Sequence, residues 1–153
     1  VQAKFIVDGT QSIAATSAQA AHGSQSLLVT TGVPNAWGAK TSIPHTAITP
    51  NQTYTAVASL LQGSGTRNSY RVFLGWYTAG GVYISGVAGN AVTGASWGQS
   101  VATGVAPSNA TQAQVYVQPI RAGLVTDSFY VDKVGLWEGS GGQWSLPGTP
   151  IYQ

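Results

Sequence analysis

The chain has neither cysteine nor methionine, and only 7% of its 153 residues are charged. Without cysteine there is no disulfide framework, no thiol chemistry and no thiolate metal site, so the fold has to rest on burial. Six Lys and Arg against four Asp and Glu leave a formal net charge of +2. Read as spread along the chain, that charge is no electrostatic footprint for nucleic acid, and the basic isoelectric point reflects small numbers. No apolar run approaches the roughly 20 residues of a membrane-spanning helix, and no basic-then-apolar leader opens the chain, so neither membrane insertion nor a visible export signal is expected. The missing methionine fits either a processed start or a piece of a longer chain.

The scarcity of acids also narrows the chemistry. Glycoside hydrolysis needs two carboxylates facing each other across a bond, and the only acidic side chains are Asp8, Asp127, Asp132 and Glu138. Nothing in their placement suggests such a pair. His22 and His45 have no cysteine and no Gly-x-Ser-x-Gly elbow to work with, and two histidines with distant acids fall short of a zinc site. No phosphate loop or dinucleotide fingerprint is present. The expectation is a protein that is not an enzyme.

What the chain does contain is 43% apolar residues, ordinary for a globular domain and too many for a disordered one. Its period is two. Tyr70, Val72, Leu74 and Trp76 alternate with Arg71, Phe73, Gly75 and Tyr77, then Gly80-Gly81 offers a tight reversal into Val82–Ser85. Both sets are largely apolar, which places this hairpin centrally in its sheet. Further strands are expected over Phe5–Val7, Ser26–Thr31, Trp37–Ile43, Thr53–Gln62, Trp97–Gly104, Thr111–Gln118 and Ser128–Trp137. Gln11–Ala21 reads as an extended edge segment and Gly86–Gly94 as a glycine-rich loop. About nine strands and no helix predict an all-β, two-sheet antiparallel β-sandwich of jelly-roll type, with an immunoglobulin-like sandwich as the rival. Residues 1–138 form this domain; residues 139–153 are a Gly-rich linker and an apolar tail.

Four segments taken in order, HGSQSL from His22, PNQTYT from Pro50, the Tyr70–Ser85 hairpin and FYVDKV from Phe129, resemble the jelly-roll carbohydrate-binding modules found beside bacterial xylanases and cellulases. Ser96-Trp97 and Thr103–Pro107 fit the same pattern. Gly135–Gly139 with the Trp144–Ile151 tail looks like the ends of such modules in bacteriophage minor tail and other virion proteins. The resemblance implies glycan binding without catalysis and often a structural calcium ion. The family's Asn-rich opening with a Phe-Glu pair is absent from Val1–Ala21, which puts the metal in doubt.

Beside that resemblance stand the residues themselves. Sugars present flat C–H faces that pack on aromatic rings, and hydroxyls that need polar neighbours. Tyr116 alternates outward with Gln112, Gln114 and Gln118, the mixture a sugar requires. Trp37 after a Pro-Asn turn, and Tyr77 and Tyr83 flanking the hairpin loop, complete the candidates; Trp76 and Trp97 read as core. Asp132 shares a strand face with Tyr130, Val134 and Leu136 under strict alternation. It is either satisfied by backbone hydrogen bonds or a cation, or a ligand of structural calcium. Trp144, Leu146, Pro147, Ile151 and Tyr152 are too apolar a set to dangle in water, so the tail either folds back or docks on a neighbouring subunit. Two settings follow. One is a virion-surface module assembled with other virion subunits, as a homo-oligomer, that touches a host cell-surface glycan. The other is the binding module of a secreted polysaccharide-degrading enzyme.

Overall fold

The computed structural model describes residues 5–8, 12–31, 38–41, 46–65, 69–120 and 127–140. In chain order the strands are β1 (Phe5–Asp8), β2 (Ser12–Thr16), β3 (Ser26–Thr31), β4 (Gly38–Thr41), β5 (Thr46–Ala47) and β6 (Thr53–Gln62). They continue as β7 (Ser69–Tyr77), β8 (Tyr83–Ala88), β9 (Val92–Thr93), β10 (Gly98–Val105), β11 (Gln112–Pro119) and β12 (Asp127–Glu138). No described residue is helical. Two antiparallel sheets result. The first runs β1-β4-β11-β7-β8, with β5 paired to β11 and β9 to β7; the second runs β10-β6-β12-β3-β2. This is the two-sheet sandwich that the two-residue period predicts.

Alternation on the central strands fills the space between the sheets. From the first sheet come Tyr70, Val72, Leu74 and Trp76 of β7 with Ala113, Val115 and Val117 of β11; from the second come Tyr54, Ala56, Ala58 and Leu60 of β6 with Phe129, Val131 and Leu136 of β12. Each large side chain removed from water this way stabilises the fold by roughly 1.5–3 kcal/mol. Two aromatic contacts tie the sheets together. Tyr70 stacks on Phe129 at 4.6 Å, and Tyr54 meets Trp76 edge-on at 6.0 Å. Trp76 is core as expected, whereas Trp97 is half-buried and stands outside the core cluster.

Three local expectations change. The Gly86–Gly94 stretch is not one loop: β8 continues through Gly86 to Ala88, and Val92–Thr93 pairs with the start of β7. At the hairpin only Gly81 takes a positive φ, 78°, with Thr78 N–H donating to the Val82 carbonyl at 2.9 Å. Finally, strict alternation fails after Asp132, because the β12–β6 register shifts between Asp132 and Gly135. An inserted residue turns the following side chains over, so Val134 and Leu136 enter the core instead of sharing the face of Asp132.

That bulge explains Asp132. Lys133 sits at φ 49°, a left-handed conformation costly for a residue with a Cβ. The Asp132 carboxylate holds it there. Its Oδ1 accepts the Lys133 N–H at 2.7 Å, and its Oδ2 accepts the Ala21 and His22 N–H groups at 2.9 Å each. One side chain thus fixes the bulge and fastens the segment between β2 and β3. Hydrogen bonds to a charged group are worth about 1.5–3 kcal/mol each when lost. Asp132→Ala is expected to lower unfolding stability by about 2–4 kcal/mol, with Asp132→Asn intermediate. Urea denaturation checks this; a loss below about 0.5 kcal/mol, the level of an ordinary surface substitution, would contradict the anchoring role.

Candidate functional site

The outer face of the first sheet carries the candidate site. Cross-strand partners share a face, and the register sets four rows across it. Tyr83 lies opposite Tyr77, which lies opposite Gln112. Gly86, Gly75 and Gln114 form the next row, then Ala88, Phe73, Tyr116 and Lys40, and finally Arg71 with Gln118. Two residues along a strand advance about 6.6–6.8 Å, so the rows span about 20 Å. That length suits an extended chain rather than a single small molecule.

The row of glycines shapes this surface. A Cβ on Gly75 would come within 3.2 Å of ring atoms of both Tyr116 and Tyr77, and one on Gly86 would run into the Phe73 ring. With no side chain in those places, ring atoms of Tyr116, Tyr77 and Phe73 close over the glycine positions. Phe73 meets Tyr116 edge-on at 5.9 Å, and Tyr77 meets Tyr83 edge-on at 5.6 Å. The result is a continuous aromatic patch, with Tyr83 the open end at 52% exposure and Tyr77 nearly buried at 7%.

Polar groups lock the rings. The Tyr77 and Tyr116 hydroxyls are hydrogen-bonded to each other, and Tyr116 donates onward to Gln114 Oε1 at 3.0 Å, so Tyr77 is the donor to Tyr116. Gln112 Nε2 donates to the Ala79 carbonyl at 3.3 Å, tying β11 to the hairpin loop. Gln118, with its amide oxygen turned toward Arg71, accepts from Nη2 at 3.2 Å and Nε at 3.1 Å. Burial, and secondarily the nearby Tyr77, pushes the Tyr83 phenol above its usual pKa. It therefore stays protonated, and able to donate, throughout the neutral range.

The residues singled out from sequence fare unequally. Tyr116, Gln114, Tyr77 and Tyr83 come together on this face, though Gln114 is only 2% exposed and acts under the rings more than beside them. Trp37 and the tail residues Trp144, Leu146, Ile151 and Tyr152 lie outside the described residues. Asp132 is on the second sheet, remote in the topology from the aromatic face. Its fit to calcium is poor: three N–H dipoles already point their positive ends at its oxygens, and no cluster of three or more His, Asp or Glu that could hold a metal ion occurs among the described residues. Phe73, Gly75, Gly86 and Arg71 belong to the site but were not singled out for it. The signal was available, since Arg71, Phe73, Gly75 and Tyr77 form one set of the β7 alternation. A shallow hollow elsewhere, lined by Gln52, Thr53, Glu138, Gly139 and Ser140, has no aromatic wall.

If the ring positions depend on the glycine gap, Gly75→Ala should push Tyr77 and Tyr116 off the sheet while the core beneath is untouched. Near-ultraviolet circular dichroism is expected to change in the tyrosine region, with melting lowered only modestly. An unchanged tyrosine signal would contradict this role for Gly75.

No protein-family model and no curated protein sequence matches the chain. Solved structures do match. The CBM22-1 xylan-binding domain from Paenibacillus barcinonensis Xyn10C superposes with a TM-score of 0.70 at 15% identity, covering 90% of this chain and 87% of that one. The C-terminal family 22 carbohydrate binding module of Clostridium thermocellum Xyn10B gives 0.64 at 22% identity, covering 86% and 83%. The enzymatically active domain of bacteriophage CBA120 tailspike protein 4 gives 0.60 at 8% identity, covering 88% of this chain but 19% of the tailspike. At these identities the similarity is one of fold: the chain has the β-sandwich architecture of a carbohydrate-binding module.

Proposed function

We propose that the outer face of the first sheet binds a polysaccharide without cleaving it. The observation that carries this reading is the packed patch of Phe73, Tyr77, Tyr83 and Tyr116 over the Gly75–Gly86 gap, with Gln112 in the row of Tyr77 and Tyr83. Exposed ring surface, that of Tyr83 above all, can meet the C–H side of a sugar, and the half-buried Gln112 amide beside it can meet hydroxyls. Because the tyrosines are hydrogen-bonded in place, little side-chain freedom is lost on binding. Asp127, Asp132 and Glu138 all belong to β12 of the other sheet, which leaves Asp8 of β1 as the one acid in the described strands of this sheet, short of the pair that glycoside hydrolysis uses. The sandwiches that superpose on this chain include domains named for xylan binding, which supports the same reading.

Two settings suit such a module. In the first it is a binding module of a secreted polysaccharide-degrading enzyme. In the second it is a structural component on a bacteriophage particle that assembles with other virion subunits, touching host glycan. The tailspike similarity and the apolar residues at Trp144, Leu146, Ile151 and Tyr152 favour the second; the similarity to xylanase modules favours the first at least as strongly.

Tyr83→Ala tests the binding face with least risk to the fold, since Tyr83 is half exposed. Loss of one stacked ring is worth about 0.5–1.5 kcal/mol, so retention on insoluble xylan or bacterial cell wall should fall roughly 3–10-fold with an unchanged melting temperature. Retention of both the Tyr83→Ala and Tyr116→Ala variants at the level of the unmutated protein would contradict the proposal. The settings separate by mass: an oligomer that dissociates on removal of residues 139–153 supports the virion component, and a monomer in both forms the enzyme module.

A further inference from the structure

The charges in the described strands are divided unequally between the sheets. The first sheet holds Lys40 and Arg71 with Asp8, and the second holds Lys133 against Asp127, Asp132 and Glu138. The described strands therefore sum to +1 in the first sheet and −2 in the second, a field that runs between the sheets.

Arg71 gives that field a local point. It occupies the row next to Phe73 and Tyr116, is half-buried, and has Gln118 opposite it on β11. Gln118 engages the side edge of the guanidinium, Nε and Nη2. A neutral amide fixes the orientation of the cation but leaves its charge uncompensated, and no carboxylate among the described residues pairs with it. The other fork, Nη1 with Nη2, is the edge that takes a carboxylate through two parallel hydrogen bonds. A partly desolvated cation is stabilised by a paired anion, and Arg71 stands in the row where a glycan chain on the aromatic patch would continue.

We infer that the polysaccharide bound by this face is anionic, a uronic-acid-bearing glycan whose carboxylate is met by Arg71. This rests on the glycan-binding reading above and adds the ligand's charge to it. Nucleic acid is the weaker candidate, because a duplex carries one charge per about 1.7 Å and calls for several phosphate contacts in line, whereas this face supplies a single ordered guanidinium beside rings and amides.

The test uses the intact chain and four probes: xylan substituted with glucuronic acid, the same polymer after its carboxyl groups are reduced to alcohols, poly(glycerol phosphate) and single-stranded DNA. The acidic xylan is expected to bind about tenfold tighter than the reduced one at low salt. The difference should shrink as salt rises from about 0.02 to about 0.5 M, where the screening length falls from tens of ångströms to a few. Arg71→Gln should abolish the difference between the two xylans, while Arg71→Lys keeps part of it. Equal binding of both xylans, or an equal loss of both in Arg71→Gln, overturns the inference and leaves the glycan-binding face standing. Tighter binding of the phosphate polymer overturns the assignment to carboxylate, and tighter binding of DNA the assignment to a glycan. Failure of every glycan overturns the binding face itself.

Discussion

A missing side chain at the centre of one sheet decides what this molecule can do. Gly75 and Gly86 face each other across β7 and β8, and no Cβ could be added at either place without meeting an aromatic ring. Glycine inside a strand costs roughly 0.5–1 kcal/mol relative to alanine. Here the cost is offset by what the gap admits. Phe73 and Tyr116 pack edge to face, and the Tyr77 hydroxyl bonds that of Tyr116, which donates onward to Gln114. Larger residues at those two positions would make the same strands an ordinary solvated face.

The second sheet does the structural work that leaves the first available. Its interior strand β6 is buried on both faces, with Val57 and Thr55 fully covered on the outer side. The β12 bulge, held by Asp132, reverses the facing of the strand halfway along. Phe129 and Val131 before it and Leu136 after it all reach the core. The bulge thus reconciles a 12-residue strand with a core that needs apolar side chains at both ends. The chain turns at Gly139, whose φ is 96° and whose carbonyl accepts from Thr55 Oγ1 at 2.7 Å. The same sheet also holds three of the four acids.

Much of this was legible from residue order. Period-two alternation is a local property, so β3 and β6 are read off with the bounds they have, and the hairpin of β7 and β8 with its aromatic end. Tyr77, Tyr83, Tyr116 and Gln114 were nameable because outward polar and aromatic residues on a strand stand out against an apolar partner set. Less legible was everything that depends on which strands become neighbours. The Gly75–Gly86 pair is a cross-strand fact, and Arg71 beside Gln118 joins residues far apart in the chain. The bulge at Lys133 was hidden because a single inserted residue has no compositional mark, so Val134 and Leu136 were assigned to the wrong face. The division of charge was hidden for the same reason: only the strand order puts Arg71 in one sheet and Asp127, Asp132 and Glu138 together in the other.

The most direct test of the account is where an oligosaccharide touches the protein. Nuclear magnetic resonance of the intact chain titrated with xylohexaose and with a glucuronic-acid-substituted xylo-oligosaccharide would show it. The account predicts that the ring signals of Phe73, Tyr83 and Tyr116 shift with both ligands, that the Arg71 side-chain N–H signals shift with the acidic one, and that Trp137 on the other sheet stays still. Shifts centred on Trp137 and its neighbours, with the tyrosine rings unmoved, would contradict it.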